Sequence, residues 1–284
     1  MTTSGTDLAP FVSVDWLREH LDDVVLVDAR WALDGSQTRD DYLAGHLPGA
    51  VYVDITEVCS GPAGDGGRHP LPTPEAFAVD LGALGIGDDD TVVAYDQGGA
   101  AGAARLVWML RAIGGDAAVL DGGAAVWDGP FEAGAVERPA ASRTPVPWPD
   151  DAFVDADGVS DVLTAGRGVV VDARGAARYT GEDEPRDPRG GHLPGAVNVP
   201  MTAHLDGDQL RDPDALREEY AAAGALDAEE VVAYCGSGIA ASQSLLVLES
   251  LGVKGRLYTG SWSDWSADPD RPAATGDAPG IWPS

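Results

Sequence analysis

Four apolar runs rich in Val punctuate the chain: VVLVDA, TVVAYD, VVVDA and EVVAYC. Each is short and nearly continuous in hydrophobicity, without the alternation of a half-exposed strand. That pattern belongs to strands buried on both faces, as in a parallel sheet. A further short strand is expected after each HLPGA, where the chain continues into Val51 and Val197. The segments between the runs space their apolar residues as helices do: VDWLREHL, PEAFAVDLGALG, AARLVWMLRAIGG, DALREEYAAAG and AASQSLLVLESLG. Several close on Gly, which readily takes the left-handed conformation past a helix C-terminus. Strands alternating with helices predict an α/β fold in which parallel sheets are flanked by helices.

The same pattern occurs twice. VVLVDAR ends at Arg30 and GVVVDAR at Arg174; GHLPGAV starts at Gly45 and again at Gly191. VVAYD ends at Asp96 and VVAYC at Cys235, and AVLDGG around Gly122 matches RLYTGS around Gly260, each followed by a Trp (Trp127, Trp265). Four blocks in one order at nearly constant offset define two copies of one unit. The expected division is one domain over 8–132 and a second over 153–284. Between them, 133–152 is Pro-rich and aperiodic, as a linker would be.

Charge narrows the choice of partners. The 284 residues carry 18 Lys or Arg and 47 Asp or Glu, a formal net charge of −29. So acidic a surface is repelled by phosphate backbones and anionic membranes, so neither nucleic acid nor a membrane is an expected partner. A hydrophobic content of 44% is too high for a disordered acidic chain. Lys254 is the only lysine, and Asp dominates the acids. An Asp-rich, Lys-poor surface on an ordinary core suggests a salt-rich cytosol, the plainer alternative being a merely acidic protein. The segment MTTSGTDLAPFVSVDWL has neither the basic start nor the apolar stretch of a signal peptide, and no membrane-length apolar run follows. Two cysteines, Cys59 and Cys235, make no disulfide framework, so a cytoplasmic location is expected. No Cys/His cluster has zinc-ligand spacing, so no metal is expected.

The two copies differ where the third strand meets its loop, and sites in parallel sheets lie beyond strand C-termini. The first copy reads Asp96-Gln97-Gly98-Gly99; the second reads Cys235-Gly236-Ser237-Gly238-Ile239-Ala240-Ala241. Backbone N–H groups of such a loop, with the N-terminus of the helix it opens, favour a thiolate or an anionic persulfide. The bland alternative for Cys235 is a small buried thiol. Cys59 lacks this setting and is not expected to react. Gly236-Ser237-Gly238-Ile239-Ala240-Ala241 also fits a dinucleotide turn, but no ribose-binding acid follows the next strand. A cysteine phosphatase would need Arg where Ala241 stands.

The tandem plan, the DAR and GHLPGA blocks, the strand-end cysteine loop and the closing GSWSDW resemble the two-domain rhodanese-type sulfurtransferases. The resemblance implies two tandem rhodanese-like domains, the first inactive and the second carrying the nucleophile Cys235. Thiosulfate-preferring members have C-R-x-G-x-[RK] loops, whereas CGSGIAA is similar to the mercaptopyruvate type, with Ala240 where Thr is common. Gly236, Gly238, Ile239 and Ala240 are then expected to border the donor. The segment Ala177-Arg178-Tyr179 through Glu184-Pro185-Arg186 resembles the family's substrate-binding stretch, which makes Arg178 and Arg186 candidate carboxylate ligands, one residue closer together than is common. The alternative for both is ion pairing amid Glu182, Asp183, Glu184 and Asp187. His69, in Gly67-Arg68-His69-Pro70-Leu71-Pro72, resembles the family histidine that pairs with the loop serine, here Ser237, as a proton relay. Asp54 or Glu57 is the candidate acid behind it. His46 and His192 recur in both copies and are expected to be structural, and Trp31 to pack or to line the cleft. The implied reaction moves sulfur from a small anionic donor through a Cys235 persulfide to a thiol, cyanide or thioredoxin-like acceptor, without cofactor. A sulfur carrier or persulfide sensor that does not turn over is the non-enzymatic alternative.

Overall fold

The computed structural model describes residues 8–283; residues 1–7, which open the stretch read for a signal peptide, and Ser284 lie outside the described residues. Twelve strands follow in order: β1 Phe11–Val12, β2 Val24–Asp28, β3 Val51–Tyr52, β4 Thr91–Tyr95, β5 Ala117–Leu120, β6 Phe153–Val154, β7 Gly168–Asp172, β8 Val197–Asn198, β9 Leu205–Asp206, β10 Gln209–Leu210, β11 Glu230–Tyr234 and β12 Arg256–Tyr258. Two five-stranded sheets have the orders β1-β5-β4-β2-β3 and β6-β12-β11-β7-β8, and every pairing within them is parallel. The two sheets thus share one topology, as the repeat predicts. Strands β9 and β10 form a separate two-stranded piece.

Five α-helices accompany each sheet. The first set is α1 Val14–His20, α2 Arg39–Ala44, α3 Ile55–Val58, α4 Pro74–Ala83 and α5 Ala101–Ala112. The second is α6 Ala156–Ala165, α7 Ala176–Thr180, α8 Pro213–Ala222, α9 Ala240–Ser250 and α10 Ser261–Trp265. Local chemistry sets their ends. Thr73 and Asp212 cap α4 and α8, each with Pro as the first helical residue. Asp155 caps α6, which stops at Gly166 in the left-handed region. The Val-rich strands feed two separate cores, one built on Leu17, Leu26, Val93 and Leu120, the other on Val159, Val170, Val232, Trp262 and Trp265. Among the described residues, no helix is long and apolar enough to cross a membrane.

The repeated blocks have a shared structural cause. Arg30 forks onto Asp28 (2.8 and 2.5 Å) and donates to the Gly45 carbonyl (2.9 Å). Arg174 does the same with Asp172 and the Gly191 carbonyl (2.7 Å). The DAR arginine therefore ties the end of its strand to the start of GHLPGA. The histidines of that block donate through Nδ1 to the carbonyls of Tyr42 and Tyr179, both at 2.8 Å, with their rings stacked on the same tyrosines. His46 and His192 are fully buried structural parts, as their recurrence suggested.

The chain divides into two compact units whose borders are not a single cut. One contains the residues up to Gly61, Leu71–Pro149 and Asp206–Leu210; the other contains Pro62–Pro70, Asp150–Leu205 and Arg211 onward. Each half of the sequence thus gives a short segment to the unit built mainly from the other half. Residues 133–152 hold no helix or strand, as expected of a linker, yet they are fastened along much of their length to the first unit. Ala141 N–H donates to Gly82 O, Arg143 Nη1 to Gly87 O (2.8 Å), and Trp148 Nε1 to Pro72 O (2.7 Å).

Candidate active site

Strand β11 is central in its sheet, and Cys235 is the next residue after it. The loop 235–239 turns at Gly238, whose φ of 78° suits glycine, and opens α9. The Gly238 N–H donates to Cys235 Sγ at 3.2 Å. The loop is held from the other side by Gly260–Ser263. Ser261 Oγ accepts from Cys235 N (3.1 Å), while Trp262 and Ser263 N–H donate to the carbonyls of Cys235 and Gly236 (3.0 and 2.9 Å). The closing GSWSDW block is therefore the clamp on the cysteine loop. Ile239 is buried at the start of α9, and Ala240 is its first residue.

Ser237 is buried, and its hydroxyl lies 2.9 Å from His69 Nδ1. His69 reaches it because Pro62–Pro70 folds with the second unit. Arg68 N–H donates to Ser263 Oγ (3.1 Å), and Gly67 lies so close that a Cβ there would stand 2.6 Å from Gly260 O and Ser263 Oγ. Gly67 therefore lets the segment dock flush against the clamp. Asp54 caps α3, its Oδ1 receiving Thr56 N (2.8 Å), Thr56 Oγ1 (2.7 Å) and Glu57 N (3.3 Å).

Arg178, on α7, is gripped by two carboxylates. Its Nε and Nη2 donate to both oxygens of Glu184 (3.0 and 2.9 Å), and Nη2 also reaches Asp187 Oδ2 (2.9 Å). Both carboxylates are deeply buried, with 4% and 2% of their side-chain surface exposed. Ion pairing, set against substrate binding at the sequence level, thus coexists with an Nη1 that points at the loop: a Cβ on Gly236 would meet it at 3.0 Å. The second guanidinium at that spot belongs to Arg68, with Nη2 at 3.1 Å from the same point. Arg186, expected to be the partner of Arg178, is exposed, and its backbone N–H donates to Glu184 Oε1 at 3.2 Å.

Cys59 and Trp31 have packing partners in the first unit. Cys59 is fully buried, which pushes its thiol up to about 12, and its carbonyl accepts from Arg105 Nη2 (3.1 Å). Trp31 packs against α5 at Gly102, where a Cβ would lie 3.0 Å from the Trp31 Cβ. In the first copy, Asp96 occupies the position of Cys235. Its Oδ1 accepts the N–H groups of Gly98 (2.9 Å) and Ala100 (3.1 Å). Burial pushes this carboxyl up to about 6 against the pull of those N–H groups. A carboxyl in the loop offers no sulfur nucleophile.

A thiol under a loop N–H, a hydroxyl–imidazole pair and two converging guanidiniums suit capture of sulfur from an anionic donor. A family model for the rhodanese-like domain matches residues 13–129 and again 155–268. The chain is 40% identical over 279 residues to the 3-mercaptopyruvate sulfurtransferase of Escherichia coli, covering 92% of this chain and 96% of that protein. It is 38% identical over 266 residues to a putative thiosulfate sulfurtransferase of Mycobacterium tuberculosis, covering 90% and 93% respectively. The crystal structure of the Escherichia coli 3-mercaptopyruvate sulfurtransferase SseA superposes with a TM-score of 0.79 at 37% identity, covering 90% of this chain and all of that one. The chain belongs to the rhodanese-like family, with two such domains in tandem.

Proposed function

We propose that this protein is a sulfurtransferase that takes sulfur from 3-mercaptopyruvate onto Cys235 and passes it to a thiol-type acceptor. The observation that carries this reading is Cys235 Sγ held at 3.2 Å from the Gly238 N–H, in a loop that also presents Ser237 to His69. The Cys235 thiolate attacks the donor's thiol sulfur. The carbon–sulfur bond breaks, and its electron pair leaves with pyruvate enolate. The proton that remains on the transferred sulfur moves through Ser237 and His69 to the enolate carbon, giving pyruvate and Cys–S–S⁻. Loop N–H groups hold that anion. An acceptor thiolate, cyanide or a thioredoxin-like protein then attacks the outer sulfur and returns Cys235 as thiolate. Arg178 holds the donor carboxylate beside Gly236.

The setting we propose is a reducing, salt-rich cytoplasm. Two free cysteines and a net charge of −29 support it. The domain borders we propose follow the repeat, 8–132 and 153–284, with the catalytic copy completed by the segment 62–70. The test is peptide mass spectrometry after mercaptopyruvate treatment, alongside pyruvate release. The expected result is a gain of one sulfur atom on the Cys235 peptide and no turnover by Cys235→Ser. No added sulfur on Cys235 would refute the proposal.

A further inference from the structure

The site contains a cation that neither the cysteine loop nor the substrate-binding stretch supplies. Arg68 lies one residue before His69 and shares a counterion with Arg178: one oxygen of Asp187 pairs with Arg68 Nη1 and the other with Arg178 Nη2. This bridge orients both guanidiniums toward Gly236. Arg68 Nη2 and Arg178 Nη1 stand 3.1 and 3.0 Å from the point a Gly236 Cβ would fill. Arg68 Nη2 is buried and has no hydrogen-bond partner in the structure. An unpaired buried guanidinium nitrogen is costly, and its retention calls for an explanation that a bound anion would supply.

We infer that Arg68 is a donor-binding and specificity-determining residue, which with Arg178 forms a two-guanidinium seat for the oxyanion end of the sulfur donor. This rests on the proposed sulfurtransferase reading. Arg68 places in trans, from the segment 62–70, a cation that the loop Gly236–Ala241 lacks. The chemistry distinguishes donors. The carboxylate of mercaptopyruvate carries one charge and two oxygens, whereas thiosulfate carries two charges and three sulfonate oxygens. Coulomb energy scales with the ligand's charge, so the second guanidinium favours the dianion more. Arg68 therefore extends a mercaptopyruvate-type loop toward thiosulfate.

The test compares Arg68→Ala and Arg68→Lys with the unmodified full-length protein, using both donors in steady state. Arg68→Ala should raise KM for thiosulfate on the order of tenfold or more, and KM for mercaptopyruvate less, with kcat nearly kept for both. Lys, which keeps the charge but not the fork, should recover part of the loss. Calorimetry of thiosulfate on Cys235→Ser, with and without Arg68→Ala, reads binding without turnover. It remains informative if the sulfurtransferase reading itself fails. Weaker thiosulfate binding in the double variant is the expected result. Unchanged binding would overturn the inference, as would a kcat loss equal for both donors at constant KM, which would mean that Arg68 only positions His69.

Discussion

Ser237 and His69 form a pair whose purpose depends on the leaving group. Pyruvate enolate needs a proton at carbon, whereas sulfite, released from thiosulfate, leaves as a stable anion. Ser237→Ala should therefore lower kcat with mercaptopyruvate by about a hundredfold while thiosulfate turnover falls far less. Equal losses with the two donors would instead mean that the hydroxyl only shapes the loop. Cys235, Ser237 and Arg178 stand out as candidates because each sits in a local motif: a strand-end loop, or the stretch after DAR. Arg68 does not. Beside His69 it looks like any surface arginine, and its role depends on a counterion, Asp187, that is 119 residues away. Arg186 drew the eye first because it shares a motif with Arg178.

The four Val-rich strands were visible because each places five consecutive residues in a largely buried position. Two-residue strands such as β1 and β6 contain too little pattern to detect. Helix α6 is long enough, but ADGVSDVLTA buries only Ala156, Val159 and Val162 among poor helix formers, so its stripe is faint. Its ends are set instead by Asp155 and Gly166. The paired loops after β4 and β11 show how one element can carry different chemistry. In the first, a buried carboxyl sits where the second has a thiol, and burial raises its folded value to about 6 from 3.8. The folded state thus holds this proton more tightly than the unfolded one. Its stabilisation is fully present below about 3.8 and is lost as pH rises through about 6. Between about pH 5 and about pH 7 the loss in Tm should be smaller for Asp96→Asn than for the unmodified protein. Parallel curves for the two would show that the carboxyl is ionised throughout.

Across the whole molecule, a net charge of −29 opposes the approach of any anionic donor to the arginine seat. Salt should relieve this, because the screening length falls to roughly 3 Å at 1 M, leaving Arg68 and Arg178 to act at contact. KM for the donor should fall as salt rises while far-ultraviolet circular dichroism stays constant. A flat or rising KM would separate the surface charge from catalysis. The duplication was the most legible global property, since repeated motifs record it directly. The exchange of 62–70 and 206–210 was not, because no local signal marks a segment that folds with distant sequence. That exchange bears on inheritance. A silent duplicate is ordinarily free to decay or be deleted. Here its reading frame encodes an imidazole and a guanidinium that lie against the Cys235 loop, so a gene trimmed to 153–284 would retain Cys235 but lose His69 and Arg68. On the proposed reading, two neighbouring codons in the first half would suffice to make the two copies inseparable.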